Sequence, residues 1–327
     1  MVRIYFCLFL CLVICLPLFS QDSSAVPSSG SKTENYVSLQ YDNDFFSATD
    51  RYYTQGILLS FIHPVVRYSP FAYALIRLNK QALNYYGFHL QQDVFTPKSI
   101  RYMEGAIYYG ERPFTAVFFM SHSLVSMDSR KKHLLRTRLD LGIIGPAAKG
   151  EEEQKGIHKA LDNIEPQGWQ NQLANDVVLN YSLQYEKGLI SSRYFEGIAS
   201  GALRLGTLYT DAGLGLQTRF GLLNPYFNNL GLSNNAAMRA HKFRIYAFAR
   251  INARLVGYNA TLQGGLFSSS MYTLPAGDVS RLVMDAQGGI VLCYKRLSLE
   301  YSKAYITPEF KNGVDHGWGR CAITVCF

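Results

Sequence analysis

The chain has 327 residues, long enough for one large all-β domain or for two smaller domains. Its formal net charge is +8, but the arginines are scattered between apolar residues instead of being clustered on one helix or loop, which argues against a nucleic-acid-binding patch. A basic chain with 23 tyrosines and 20 phenylalanines fits better with an anionic membrane surface or an anionic lipid headgroup.

The first twenty residues predict a secretory signal peptide. Arg3 precedes an almost wholly apolar run from Ile4 to Phe19, and Ser20 is a small residue suited to cleavage before a polar stretch. The run is too short for a membrane span and has no stop-transfer flank. The predicted division of the chain is a signal peptide at 1–20, a flexible leader at 21–33 and one domain at 34–327.

The rest of the chain alternates apolar and polar residues with a period of two, which is the pattern of β-strands. In 177–186, for example, Val177, Leu179 and Tyr181 share one face, whereas Asn180 and Ser182 share the other. Many of these segments are about ten residues long, the length that a tilted strand needs to cross a bilayer. About twelve strands are predicted, at 36–44, 52–62, 84–95, 113–124, 135–143, 177–186, 193–206, 212–221, 243–255, 282–294, 297–306 and 318–327.

The first predicted hairpin, from Asp42 to Gly56, concentrates oxygen-bearing side chains at one rim of the β structure. The cluster consists of Asn43, Asp44, Asp50 and Thr54. Hard oxygen ligands of this kind suit a divalent cation such as Ca²⁺. Turn formation is the alternative explanation, because Asn and Asp favour turns, although Asn43 and Asp44 lie within a run of strand-forming residues.

One segment, 145–172, breaks the alternation. Within it, 151–164 predicts a short helix with acidic residues in its first turn, where the helix dipole favours them. Gln154 and His158 are four residues apart and therefore lie on one helix face. Such a helix could deliver a histidine to a site at the rim, although a solvated helix histidine is the simpler alternative.

The C-terminal strand ends in Phe327, which resembles the assembly signal of bacterial outer-membrane barrels and implies contact with the barrel assembly machinery. Arginines on single strand faces and aromatic residues near strand ends also favour a transmembrane antiparallel β-barrel over a soluble barrel or sandwich. Lipid requires closure of such a barrel, so we expect an even number of strands. Outside the predicted signal, Cys293, Cys321 and Cys326 are too few and too irregularly spaced for a disulfide framework or a zinc site.

Several motifs, in order, resemble those of the outer-membrane lipid A 3′-O-deacylases, a group of twelve-stranded barrel hydrolases. The resemblance covers most of the predicted mature chain. Its anchors are Asn43-Asp44, Asp50 to Gly56, Gln92 to Pro97, Glu111 to Phe114, Gly142 to Pro146, Gln154 with His158, Gly168 to Gln172, Thr307 to Phe310, and Phe327.

The resemblance implies a Ca²⁺-dependent outer-membrane esterase that removes the 3′-acyloxyacyl chain of lipid A. The residues that match the family's active site are Asn43, Asp44, Thr54, Gln154 and His158. The family's acidic residue six positions after the histidine is replaced here by Ile164, and Glu165 follows one position later. Glu165 is therefore a candidate for that role, and we expect a monomer that binds lipopolysaccharide as substrate.

These residues can support ester hydrolysis by an activated water molecule. His158 is the predicted general base, Asp44 the predicted calcium ligand, and Asn43, Thr54 and Gln154 the groups that orient the metal shell, water or substrate. Two other functions fit the same barrel. An outer-membrane phospholipase would attack glycerophospholipid esters, and a porin would conduct ions without changing any lipid.

Overall fold

The structure of the protein is a computed structural model that describes residues 35–47, 51–100, 109–160, 162, 164–230 and 243–327. The predicted signal peptide and leader, as well as Asp50, lie outside the described residues. No helix in the described ranges is both long enough and apolar enough to span a membrane.

The described residues form one closed antiparallel barrel of twelve strands, as the alternation predicts. β1 pairs with β2 on one side and with β12 on the other, which closes the sheet. The strands are β1 Tyr36–Asn43, β2 Tyr52–Ile62, β3 Leu83–Thr96, β4 Thr115–Asp128, β5 His133–Ile144, β6 Asp176–Ser191, β7 Phe195–Gly206, β8 Tyr209–Gly221, β9 Phe243–Asn259, β10 Leu282–Tyr294, β11 Leu297–Ile306 and β12 His316–Cys326.

The described helices lie in the connections. The α-helices are α1 Gly150–Ala160, α2 Tyr226–Asn229 and α3 Ala260–Gln263, and the 3₁₀ turns are Asp44–Ser47, Pro64–Tyr68, Pro70–Ala74, Pro146–Ala148 and Trp169–Asn171. The helix predicted at 151–164 is thus present as α1 but ends earlier. Asp162 adopts a left-handed conformation with φ 54°, which turns the chain away from the helix axis.

The barrel is polar inside and apolar outside. A lumenal cavity of about 670 Å³ is lined by charged side chains, which include the ion pairs Arg136–Glu186, Arg138–Asp140, Arg254–Asp285 and Arg320–Asp42. The alternate positions of the strands expose large apolar side chains, such as Leu179, Leu205, Ile251 and Ile290. This arrangement is the one that a membrane barrel requires, and it is the reverse of a soluble barrel.

Strand direction defines two rims. We call the rim at which β1 ends and β2 begins the site rim; it carries the connections 44–51, 97–114, 145–175, 207–208, 260–281 and 307–315. The opposite rim holds both ends of the described domain, where the Phe327 amide donates a hydrogen bond to the Asn35 carbonyl over 2.9 Å. We call it the terminal rim.

Side chains from the described segments occupy both mouths of the lumen. At the terminal rim, α2 packs Tyr226 and Phe227 against Ile62, Tyr85 and Val125, which all face inwards. At the site rim, an apolar cluster is formed by Tyr52, Leu262, Leu274, Val279 and Phe310. Beside this cluster, the fully buried Arg112 pairs with Glu309 over 2.5 Å and so joins two rim connections.

Candidate active site on the outer wall of the barrel

The end of β1 carries polar side chains on both faces of the wall. Asp42 faces the lumen, because both of its carboxylate oxygens accept hydrogen bonds from Arg320 at 2.8 and 2.7 Å. Successive strand residues point to opposite faces. Tyr41 and Asn43 therefore face outwards, and the Asn43 amide donates to the Tyr41 hydroxyl over 3.0 Å.

A β-bulge at Thr54 determines which way the start of β2 points. Register with β3 shifts between Tyr53 and Gln55, so Thr54 is the extra residue. Tyr53 faces the lumen, where its hydroxyl donates to Asp42 and is 3.2 Å from Asp93. Gln55 lies opposite the outward-facing Asn43. Bulges commonly redirect a side chain beside a functional site, and here two consecutive residues, Thr54 and Gln55, contact groups on the outer side.

The Thr54 hydroxyl is held by a partner on the neighbouring strand. Thr54 Oγ1 lies 2.8 Å from Oγ1 of Thr96, and both side chains are buried. Thr96 is two residues after Val94, which belongs to the apolar cluster on the outer wall, so both share that face.

The connection 145–175 folds over this part of the outer wall. Its residues Ala148 and Trp169 pack with Val94 and Ala116 of the wall. The α1 helix begins at Gly150, which is so close to Ala116 that a β-carbon added to the glycine would lie 2.5 Å from the alanine β-carbon. Gly150 therefore allows α1 to approach the wall closely.

A hydrogen bond between α1 and β2 brings the two halves of the predicted site together. The Gln55 side-chain amide donates to the carboxylate of Glu153, the residue before Gln154. Tyr41 lies within electrostatic range of both Asp44 and Glu153. Burial raises the pKa of Glu153 more than the Gln55 hydrogen bond lowers it. The helix is thus fixed beside the strand ends that carry Asn43 and Thr54.

The two helix residues predicted for the site are both buried, with relative exposures of 3% for Gln154 and 6% for His158. Gln154 Oε1 accepts a hydrogen bond from the Trp169 indole over 2.8 Å. His158 Nδ1 is 2.6 Å from the carbonyl oxygen of Ile164. Because a carbonyl can only accept, this contact places the imidazole proton on Nδ1 and the lone pair on Nε2.

Asp44 is almost fully buried, at 2% relative exposure, at the start of the 3₁₀ turn that follows β1. Its Oδ2 accepts the Arg51 amide over 2.6 Å, which closes the hairpin. Asn43 Oδ1 accepts the Phe45 amide over 2.8 Å in an Asx turn. Asn43 and Asp44 thus shape the turn, and the turn holds them beside β2.

Comparison with known proteins places this barrel in a family. The sequence pattern of the family described as outer membrane protein LpxR matches residues 6–327. The chain belongs to the LpxR family. This confirms the resemblance drawn from the motifs and the location in the outer membrane. No curated protein sequence matches the chain.

Solved structures agree with the fold of the LpxR family. The structure described as LpxR from Salmonella typhimurium superimposes with a TM-score of 0.72 at 21% sequence identity, covering 89% of this chain and 100% of that one. The β-domain of the Bordetella autotransporter BrkA, at 9% identity, reaches only 0.43 while covering 89% of this chain and 97% of that one.

Glu165, the candidate for the family's acidic residue, lies after the turn that ends α1. Its side chain is 63% exposed and its carboxylate is 3.4 Å from the Lys155 amine. The group that contacts His158 Nδ1 is instead the backbone carbonyl of the preceding residue, Ile164. In this chain, the hydrogen-bond partner of His158 Nδ1 is therefore the Ile164 backbone carbonyl and not the Glu165 carboxylate.

The oxygen donors at the hairpin fit calcium by type. Among the described residues, no three His, Cys, Asp or Glu side chains are grouped to hold a metal ion. The available set is the Asp44 carboxylate, the neutral oxygens of Asn43 and Thr54, and backbone carbonyls. Ca²⁺ accepts such a mixture, and a site with few charged ligands binds it weakly.

Four supporting residues were missed from the sequence: Gln55, Thr96, Glu153 and Trp169. All four lie within, or directly beside, motifs that carry the family resemblance. Their contacts with the site residues depend on strand register and on how the 145–175 connection folds, and neither is encoded in local periodicity. If β2 had been paired with β3 when the sequence was interpreted, Thr96 could have been predicted as the neighbour of Thr54.

Proposed function

We propose that this protein is a lipid A 3′-O-deacylase, a carboxylic ester hydrolase that releases the 3′-acyloxyacyl chain of lipid A. The observation that carries the proposal is the location of the candidate site on the outer wall of the barrel. Asn43 and Thr54 lie on the outer face of the wall, and the Gln55–Glu153 hydrogen bond joins the same strand to α1, the helix that carries Gln154 and His158. Membership in the LpxR family supports the same activity.

The location suits a substrate that stays in the membrane. An acyl chain can remain against the apolar wall while its ester reaches the rim, where water is available. Hydrolysis at this position requires no transfer of the lipid into the polar lumen, which would be costly for long acyl chains. A site inside the lumen would instead favour a soluble, polar substrate.

His158 is the proposed general base. The Ile164 carbonyl holds the proton on Nδ1, so Nε2 is the atom that accepts a proton from water as it attacks the ester carbonyl. The protonated imidazole then returns this proton to the leaving alkoxide. One water molecule is consumed, and the products are a carboxylic acid and a free hydroxyl on the sugar.

Asp44 is the proposed calcium ligand, with Asn43 and Thr54 as neutral oxygen donors or hydrogen-bonding groups at the same place. Bound Ca²⁺ supplies a Lewis acid that polarises the ester carbonyl and stabilises negative charge on its oxygen. The protein contributes a rigid support, because Arg51 and Thr96 hold Asp44 and Thr54 through hydrogen bonds of 2.6 and 2.8 Å.

Gln154 is the proposed positioning residue beside the base. Trp169 fixes its carbonyl oxygen, which determines the orientation of the whole side-chain amide. Glu165 pairs with Lys155, and we propose that Ile164 takes over the orienting role through its carbonyl. Glu165→Gln should then retain most activity, whereas a Glu165 that orients His158 directly should lose activity upon the same change.

The direct test is mass spectrometry of lipid A from cells that express the protein, the His158→Ala variant or the Asp44→Ala variant. The wild type should remove one acyloxyacyl unit, and both variants should leave lipid A unchanged while forming heat-modifiable barrels. His133→Ala, at the terminal rim, is the matched control and should behave as wild type. Retained activity in both site variants would contradict the proposed chemistry.

The same lipid extracts distinguish the alternatives. Lysophospholipid without any change in lipid A would indicate a phospholipase. Unchanged lipids together with steady ion conductance would indicate a porin. The filled mouths of the described lumen argue against the porin.

The calcium requirement needs its own measurement. Deacylation by purified protein in detergent should stop when a calcium-selective chelator is added and should return with excess Ca²⁺. Asp44→Asn keeps the shape of the side chain but removes its charge, so it should raise the Ca²⁺ concentration needed for half-maximal rate. A rate that does not respond to chelation would remove the metal from the mechanism and leave the role of His158 intact.

A further inference from the structure

A second element packs on the outside of the barrel, at the rim opposite the site. The segment 63–82, which we call the foot, joins β2 to β3 at the terminal rim and contains two 3₁₀ turns. Its Leu75 packs against Tyr86 and Leu124. Their strand neighbours Gly87 and Ser123 face the lumen, where Ser123 contacts His89 over 2.7 Å. Tyr86 and Leu124 therefore face outwards.

The surface of the foot that points away from the barrel is apolar and aromatic. The relative exposures are 54% for Val65, 72% for Tyr68, 48% for Phe71, 96% for Tyr73 and 48% for Ile76. Five large exposed side chains in twelve consecutive residues are unusual for a surface in contact with water alone. Aromatic rings are typical of the belt where a bilayer meets water.

The foot is also purely basic. Arg67, Arg77 and Lys80 are exposed, and the segment contains no aspartate or glutamate. The Arg67 guanidinium lies 4.6 Å from the ring centroid of Tyr68, so the charge is directly beside an exposed aromatic ring. Cations next to aromatic side chains complement an anionic headgroup above an apolar layer.

The height of the foot on the wall agrees with the edge of a bilayer. β3 and β4 each have 14 residues, which corresponds to about 36 Å along the barrel axis at the usual rise and tilt. The apolar band of a membrane barrel is about 25 Å tall. Leu124, four residues from the end of β4, lies about 10 Å below the terminal rim. A band centred on these strands leaves about 5 Å at each end, so the foot reaches from the rim across the border of this band.

We propose that the foot is a lipid-binding anchor that takes anionic phospholipid headgroups at the bilayer surface of the terminal rim. Its exposed rings insert at the interface, and Arg67, Arg77 and Lys80 contact phosphate groups. The occupant is lipid rather than a second protein because the foot is attached to the lipid-facing wall and continues it. The anchor lies at the rim opposite the candidate site, so it would bind lipids of one leaflet while the proposed substrate lies in the other.

The test uses a tryptophan at the most exposed position. Tyr73→Trp is reconstituted into phosphatidylcholine vesicles that contain either brominated phosphatidylglycerol or an equal fraction of brominated phosphatidylcholine. After subtraction of the parent protein's signal, both lipids should quench the new tryptophan, and the anionic lipid should quench it more strongly. This preference should weaken at high salt, because salt screens exposed charges.

Charge neutralisation identifies the binding groups. Arg67→Gln with Lys80→Gln should lower the preference for the anionic lipid by about 5-fold per cation. Arg77 donates a hydrogen bond to Tyr86 over 3.1 Å, and leaving it intact in this variant avoids disturbing the packing of the foot. Lys295→Gln with Arg296→Gln removes two cations from the β10–β11 turn at the same rim and should leave the preference unchanged.

Three outcomes would overturn the proposal. Absence of quenching by either lipid would show that residue 73 does not meet the bilayer. Equal quenching by the two lipids, at low salt, would show that the cations do not recognise headgroups. Quenching that disappears as the protein-to-lipid ratio rises, together with cross-linking through residue 73, would identify a second copy of the chain as the partner.

Discussion

Gly150 gives a direct test of whether catalysis requires α1 to be seated on the outer wall. A β-carbon at this position would lie 2.5 Å from the β-carbon of Ala116 and 2.9 Å from the Trp169 ring. Carbon atoms in contact prefer separations of about 3.5–4.0 Å. Gly150→Ala must therefore move the start of α1 away from the wall by about 1 Å, or displace both neighbours.

The magnitude follows from the two costs of this movement. Overpacking of one methyl group destabilises local packing by about 1–3 kcal/mol, which a closed barrel of twelve strands can tolerate. A displacement of about 1 Å in the groups that position a reaction can reduce its rate by about 100-fold. We therefore expect Gly150→Ala to form a folded barrel whose deacylation rate is about 10- to 100-fold below that of the wild type.

The chain offers a matched control in the same helix. A β-carbon at Gly156 would have no atom within 4 Å, so Gly156→Ala should keep wild-type activity and stabilise α1 by up to about 1 kcal/mol. Rates of lipid A deacylation in detergent and heat-modifiable migration would be measured for both variants. Adding Ala116→Gly to Gly150→Ala should restore part of the rate. Wild-type rates for Gly150→Ala would refute the seating of α1 as a requirement.

Three further predictions concern the supports of the site and the lumen. Gln55→Leu should lower the deacylation rate by about 10-fold, because an unsatisfied buried acceptor costs about 1–3 kcal/mol, whereas Glu153→Gln should keep the contact and most of the rate. Burial raises the pKa of Glu309, but Arg112 and other cations lower it more, so the pKa lies below the ordinary value of 4.5. The Glu309 carboxylate therefore stabilises the fold fully above pH 4.5, and this stabilisation is lost as the pH falls through the lowered pKa. On acidification, the Tm of Glu309→Gln should drop less than the Tm of the wild type. Because both mouths are filled, Tyr226→Ala combined with Phe310→Ala should raise the ion conductance in planar bilayers, whereas Tyr226→Ala alone should leave both conductance and deacylation unchanged; steady conductance of the wild type would contradict this.

The sequence predicted the barrel well because a membrane barrel has one dominant local signal. Outward and inward residues alternate over segments such as 177–186, and the structure places strands at every predicted position. The bulge at Thr54 could not be predicted, because it depends on how β2 pairs with β3. The end of α1 was predicted four residues too late, because the left-handed turn at Asp162 has no glycine or proline to mark it.

Candidate side chains for the site could be proposed from the sequence, whereas their surroundings could not. Gln154 and His158 followed from helical spacing, and Asn43 from an oxygen-rich hairpin. The Ile164 carbonyl could not be found from side-chain chemistry, because any residue supplies a carbonyl. Only the path of the chain after α1 places this oxygen 2.6 Å from His158 Nδ1.

Because side chains alternate along β1 and β2, the same stretch of wall presents one set of residues to the lumen and another set to the outer surface. Asp42 points inwards and is fixed by Arg320 and Tyr53, whereas Asn43, one residue later, points outwards to the site. The lumenal ion pair therefore restrains the backbone from which the site projects. Reorganisation of the strand end during catalysis would break this buried pair, which is costly for a charge left without its partner. The polar lumen would thus act as the rigid support of the proposed reaction on the other face of the same strands.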